Sequence, residues 1–180
     1  MNDVHDRFET FVRAYEDMVF ATAVRLLGNP AEAEDVAQTV FLKAFERFHE
    51  VGDSPSAPGW LKTVTTNACL NHLSRYRARW RLFTEMGRQG DDEGPAFEDT
   101  ISAASEVDAL EVAEEQARLE DALRQLPAHQ RVPLVLFHFE SRSYQEIAET
   151  LGASLGKVKT DIHRGREALR RYLRHDDDPR

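Results

Sequence analysis

Apolar residues recur at helical spacing along most of this chain, and nowhere do they alternate as a strand would require. Phe8, Phe11, Val12, Tyr15, Val19, Ala23 and Leu26 mark one face of a first helix, and Gly28 supplies its stop. Asn29-Pro30 restarts the chain. Asparagine suits the N-cap, proline the first helical position, and Glu32, Glu34 and Asp35 sit near the positive end of the helix dipole. The second helix is predicted to run to about His49, with Val36, Val40, Phe41, Ala44, Phe45 and Phe48 on its apolar arc. At about 100° per residue, Leu42 falls on the opposite face, in one stripe with Asp35 and Gln38. An apolar residue bracketed by polar ones is either an isolated exposed leucine or part of a partner surface.

Residues 50–59, EVGDSPSAPG, read as a loop because proline, glycine and serine dominate them. A long helix follows from Pro58 to Leu82. Leu61, Val64, Thr65, Ala68 and His72 fall on the side assigned to the core, while Trp60, Thr63, Asn67, Asn71 and Ser74 lie along another. Arg75, Arg77, Arg79 and Arg81 finish it. Two readings of those arginines stay open: a solvated face favoured by the negative end of the helix dipole, or a phosphate-binding ridge beside an aromatic wedge and side-chain amides.

From residue 84 to 104 the periodicity disappears, and glycine and acidic residues take over, as in a flexible linker. A helix capped by Ser105 then carries Leu110, Ala113, Ala117, Leu119, Leu123 and Leu126 up to Pro127. Another covers His129 to Phe139, with Val132, Val135, Leu136 and Phe139 inward. Its Pro133 is tolerable only within the first turn. Then Tyr144, Ile147, Ala148 and Leu151 form a short amphipathic stripe, and Gly152 occupies the place of a left-handed helix stop. Ser154 can cap the next helix, whose inner face is Val158, Ile162, Gly165 and Leu169. Lys159, Thr160, His163, Arg164 and Glu167 lie opposite, with Lys157 at the border. Two helices joined this way, the second basic on its outer face, make a helix-turn-helix. The bland alternative is a helical hairpin with a basic face.

The fold class expected is therefore all-α: two small helical domains joined by a flexible acidic linker, the C-terminal one with the helix-turn-helix. The boundaries are 1–83, linker 84–104, 105–175, and a disordered tail 176–180. Charge sharpens this picture. The 180 residues carry a net charge of −9, yet Lys and Arg outnumber Asp and Glu by 6 to 1 in residues 60–88 and by 10 to 5 in 122–175. Between these basic islands, residues 91–121 hold 12 acidic side chains and 1 basic one. A phosphate backbone responds to the field within about 8–10 Å, so the acidic total does not exclude nucleic acid.

Composition also removes alternatives. No apolar run approaches the roughly 18 residues a membrane span needs, and residues 1–10 lack the pattern of a secretion signal, so no membrane insertion and a cytoplasmic location are expected. The single Cys69 permits no internal disulfide and reads as a small buried hydrophobe rather than a redox sensor. The seven histidines are scattered, and no metal, cofactor, phosphate-loop or nucleophile motif occurs, so no cofactor and no enzyme activity are expected.

Three stretches, AEDVAQTVFLKAFERF, PGWLKTVTTNACLNHLSRYRAR and LPAHQRVPLVLFHFESRSYQEIAETLGASLGKVKTDIHRGREAL, together resemble an extracytoplasmic-function sigma factor of bacterial RNA polymerase. The resemblance is collinear and spans nearly the whole chain. It implies a non-catalytic transcription initiation factor of two helical domains, whose partners are core RNA polymerase and promoter DNA. Asp35, Gln38, Phe41 and Leu42 then correspond to the helix that binds core polymerase. Trp60, Thr63, Asn67, Asn71, Arg75, Arg77 and Arg79 correspond to the surface that recognises and melts the minus-10 element, the preceding loop being placed to hold a flipped base. Ser154, Lys157, Lys159, Thr160, His163, Arg164 and Arg166 correspond to the minus-35 reading helix. An anti-sigma factor is a further partner the family admits, which the sequence does not disclose.

Three residues depart from the family pattern. Lys157 stands where a small polar residue is usual, Asp161 where a basic one is usual, and Gly165 where alanine is usual. Asp161 could pair with a neighbouring cation or accept from a cytosine amino group, and both readings stay open. Gly165 costs about 0.5–1 kcal/mol of helix propensity unless close packing needs it. A flexible run of the linker's length spans about 25 Å, against roughly 70 Å for two turns of duplex, so polymerase is expected to stretch it. The rival function is a helix-turn-helix regulator acting without polymerase, which would have no need of the 33–41 pattern or the Trp60 helix.

Overall fold

The computed structural model describes residues 2–74 and 109–175, with side chains placed for 4–74 and 113–174. Regular structure among the described residues is helical: α1 (Asn2–Leu27), α2 (Pro30–Glu46), α3 (Phe48–Val51), α4 (Ala57–Ser74), α5 (Ala109–Gln125), α6 (Ala128–His138), α7 (Tyr144–Leu151) and α8 (Leu155–His175). The chain divides into two compact units, Met1–Met86 and Gly87–Arg180. The 84–104 linker, the Ser105 cap, the 176–180 tail and Arg75, Arg77, Arg79 and Arg81 lie outside the described residues.

In the first unit α1, α2 and α4 pack against one another. Val19, Ala23 and Leu26 of α1, Ala33, Val36, Val40 and Ala44 of α2, and Ala57, Leu61 and Cys69 of α4 are buried at the centre. The local signals between α1 and α2 act as the sequence indicates. Gly28 is left-handed at φ 69° and its N–H returns to the Val24 carbonyl at 2.8 Å. The Asn29 side-chain oxygen accepts from the Ala31 and Glu32 amides at 3.0 and 3.4 Å.

Two boundaries differ. Helix α2 ends at Glu46, and the irregular Arg47, at φ −111° and ψ 20°, redirects the chain into the one-turn α3. The break brings Phe48 against Phe8 and Phe11, with ring centroids at 5.2 and 5.6 Å. Tertiary packing of aromatic rings thus outweighs continuation of a helical pattern. The loop shrinks correspondingly to residues 52–56, because Val51 and Ala57 are buried inside helices. Gly52 fits there for lack of a side chain: a Cβ would lie 2.6 Å from the Phe48 ring.

The buried arc of α4 is also rotated from the expected one. Leu61 and Thr65 are buried as anticipated, but Thr66 and Cys69 complete the arc, and Val64, Ala68 and His72 are only half-buried. A threonine can be buried in a helix because its hydroxyl satisfies itself on the preceding turn, as the Thr65 Oγ1 does by donating to the Leu61 carbonyl at 2.7 Å. Half-buried His72 pairs instead with Glu32 of α2, Nε2 to Oε2 at 3.1 Å.

In the second unit α8 packs on α5, α6 and α7. Helix α6 is central: six consecutive residues, Arg131 to Leu136, are buried, so every face of it is covered. Pro133 is the sixth residue of α6, which corrects the expectation that it could sit only in the first turn. Its missing N–H costs one helical bond, and packing on all sides holds the helix together across the gap. Buried Arg131, which the periodicity did not single out, donates from Nη1 to the Leu126 carbonyl at 2.7 Å and so closes the end of α5.

Candidate nucleic-acid interface

Helices α7 and α8 form the helix-turn-helix. Ser143 starts α7 with a capping box: its hydroxyl accepts from the Glu146 amide at 3.2 Å, and the Glu146 carboxylate accepts from the Ser143 amide at 2.8 Å. Those bonds hold the Glu146 carboxyl below its ordinary range. The S-x-x-E spacing that signals this cap is legible in the sequence. Ile147 and Ala148 are buried, and Gly152 is left-handed at φ 63°, its N–H returning to the Ala148 and Glu149 carbonyls. Ser154 then caps α8, its Oγ accepting from the Lys157 amide at 3.2 Å.

Val158, Ile162 and Gly165 of α8 are buried, as the wheel predicts. Gly165 answers a close approach: a Cβ there would stand 2.9 Å from Leu134 Cδ1 and 3.3 Å from the Gln130 carbonyl oxygen. Opposite this face Lys159, His163 and Arg164 are exposed and Thr160 is half-exposed. His163 lies 3.6 Å from the Glu167 carboxylate. The cationic face of α8 is thereby turned to water with its apolar face anchored, which is the arrangement a helix needs to enter a major groove.

Two residues of the expected minus-35 set, both half-buried, make contacts inside the domain. Arg166 donates from Nε to His138 Nε2 at 3.0 Å, and its guanidinium lies 5.4 Å from the Phe137 ring centre. Phe137 in turn stacks on Tyr144 at 4.6 Å, so Arg166 belongs to the seam between α6, α7 and α8. Lys157 bonds both carboxylate oxygens of Asp161 at 2.6 Å. Asp161 is 2% exposed, which decides between the two readings of it: an enclosed carboxylate partners a cation and meets no base edge.

In the first unit Asn67 and Asn71 are exposed on α4, on the same side as Thr63, whose hydroxyl donates to the Gly59 carbonyl at 3.0 Å. Trp60 is half-exposed, with the Arg47 guanidinium 5.9 Å from its ring. Trp60 lies in the first turn of α4, just after the 52–56 turn, where the Ser54 and Ser56 hydroxyls bond each other at 2.8 Å, and Thr63, Asn67 and Asn71 follow along the helix. On α2, Asp35 and Gln38 are exposed, Phe41 is half-buried, and Leu42 is 67% exposed. Phe45, expected in the core, is partly exposed and rests edge-on against His5 and Phe8. Among the described residues no group of His, Cys, Asp or Glu is placed to hold a metal ion, and no helix is long and apolar enough to cross a membrane.

The chain matches the family model for Sigma-70 region 2 over residues 11–79 and that for Sigma-70, region 4 over residues 116–169. It is 32% identical over 171 residues to the ECF RNA polymerase sigma factor SigW of Bacillus subtilis, covering 94% of this chain and 90% of that one. To the ECF RNA polymerase sigma factor SigE of Mycolicibacterium smegmatis it is 37% identical over 166 residues, covering 92% of this chain and 61% of that one. A solved structure, the sigma factor RpoE in complex with the anti-sigma factor NepR from Bartonella quintana, aligns at 22% identity with a TM-score of 0.47, over 93% of this chain and 96% of that one. With both regions matched in order along one chain, the protein belongs to the extracytoplasmic-function sigma factors, the RNA polymerase-associated initiators of transcription.

Proposed function

We propose a division of labour among three helices of this sigma factor. Helix α2 docks on core polymerase through Asp35, Gln38, Phe41 and Leu42. Helix α4 meets the minus-10 element through Trp60, Thr63, Asn67 and Asn71, together with Arg75, Arg77 and Arg79, which follow it in the sequence. Helix α8 reads the minus-35 duplex through Lys159, Thr160, His163 and Arg164, with Ser154 at its capped start. The supporting observation is the exposure of Lys159, His163 and Arg164 on one side of α8 while Val158, Ile162 and Gly165 are buried on the other.

The chemistry of each surface fits its partner. Cations at the duplex face gain from counterion release, and groove-facing donors discriminate base edges. Amides beside a half-exposed indole suit unstacked bases, which need both hydrogen-bond partners and a ring to stack on. The protein supplies no catalytic chemistry in this reading, and its place of action is the cytoplasm, where polymerase and DNA are.

The test is transcription in vitro from a pool of genomic fragments by purified core polymerase, with and without this chain, scored by transcript 5′ ends. New start sites sharing two upstream elements are expected only when the chain is added, and their absence would remove the proposal. Leu42→Glu should abolish capture of core polymerase with helix content unchanged. Asn67→Ala should reduce permanganate reactivity at the minus-10 thymines more than it reduces duplex binding. A regulator acting without polymerase would instead give a strong specific gel shift on its own and tolerate Leu42→Glu.

A further inference from the structure

Lys157 and Asp161 are bonded to each other, four residues apart on α8. Lys157 is the third residue of α8, in the turn that a reading helix presents first to DNA. A cation there faces the positive end of the helix dipole, and a lysine four residues before an acid is the less favourable order for a helical pair. Helix electrostatics therefore do not account for the placement. Asp161 does: its side chain is 3% exposed, and a carboxylate so enclosed needs a cation. Both its oxygens are taken by the Lys157 ammonium at 2.6 Å, and the Lys157 side chain is itself only 30% exposed.

We propose that Asp161 is a specificity-determining residue that acts through Lys157, withholding its ammonium from the phosphate backbone. The inference rests on α8 being the duplex-reading helix. Every phosphate contact adds affinity that is the same for all sequences, whereas Lys159, Thr160, His163 and Arg164 can add affinity that depends on the base. Holding one cation inward at the front of the helix lowers the first contribution and leaves the second, so the ratio of specific to non-specific binding rises. The Asp161 pair also holds the lysine side chain back along the helix, away from the first turn.

The experiment measures binding of the full-length chain to a fluorescent random-sequence duplex across a salt series, since a phosphate contact registers in the slope of log K against log salt. Asp161→Asn, which keeps the shape and removes the charge, is expected to steepen the slope by about 0.9, the increment for one added phosphate contact. The double variant Asp161→Asn with Lys157→Met should return the slope to the parent value. An unchanged slope in Asp161→Asn, or a double variant that falls below the parent, would overturn the proposal, because Lys157 would then be idle or already on phosphate.

Lys159→Ala and Arg164→Ala separate this from the reading beneath it. Each should make the slope shallower. If neither does, α8 is not the duplex-facing helix and both inferences fall. If they do and Asp161→Asn has no effect, only the present one falls. A measurement on the unsubstituted chain guards against misfolding of the variant: amine labelling should modify Lys157 several-fold more slowly than Lys159, and equal labelling would overturn the proposal.

Discussion

Burial holds the Asp161 carboxyl above its ordinary value of 3.8, and Lys157, Arg164 and the protonated form of His129 only partly offset that cost. A carboxyl whose folded value is raised binds its proton more tightly in the fold than in the unfolded chain. Its contribution to stability is thus fullest in acid and fades as pH rises above 3.8. His129 pulls the other way: burial lowers its value from 6.5, so its contribution is lost as pH falls. Comparing the parent with Asp161→Asn isolates the first effect. Urea unfolding should show the parent gaining stability relative to the variant as pH is lowered toward 3.8, and a constant difference would show that the carboxyl titrates alike in both states. Gly152→Ala tests the turn. Nothing lies within 4 Å of a Cβ at this position, so the left-handed backbone at φ 63° alone sets the cost. A loss of about 1 kcal/mol is expected in the same measurement.

At the scale of elements, the joints between helices carry the most local information. Gly28, Asn29, Gly152 and Ser154 were legible because a cap depends on one residue's own backbone freedom or side-chain oxygen and on the few amides beside it. The outer face of α8 and exposed Leu42 were legible for a related reason, since a regular helix turns spacing into direction. What escaped depends on other parts of the chain. The break at Arg47 follows from where α1 places Phe8 and Phe11, the rotation of α4 from packing against two helices at once, and the tolerance of Pro133 from the enclosure of α6. For Asp161 the wheel left two readings open, because it gives an angle and not the height of the neighbouring helix that encloses the carboxylate. The α3 turn offers a test of such non-local fit: Gly52→Ala would set a methyl 2.6 Å from the Phe48 ring and should cost about 1–3 kcal/mol in urea unfolding. An unchanged midpoint would mean that the ring swings aside freely.

At the scale of the whole molecule, each unit closes its own core, one around Val19, Leu26, Val40 and Leu61, the other around Leu123, Val135, Ile147 and Ile162. Separate fragments of residues 1–83 and 105–175 should therefore each unfold cooperatively in urea, and a gradual loss of ellipticity in either would show a core too small to stand alone. Leu42 has a different consequence. It is 67% exposed, about one helical turn before the partly exposed Phe45. Agents that salt proteins out should therefore drive the isolated chain toward self-association through these apolar side chains.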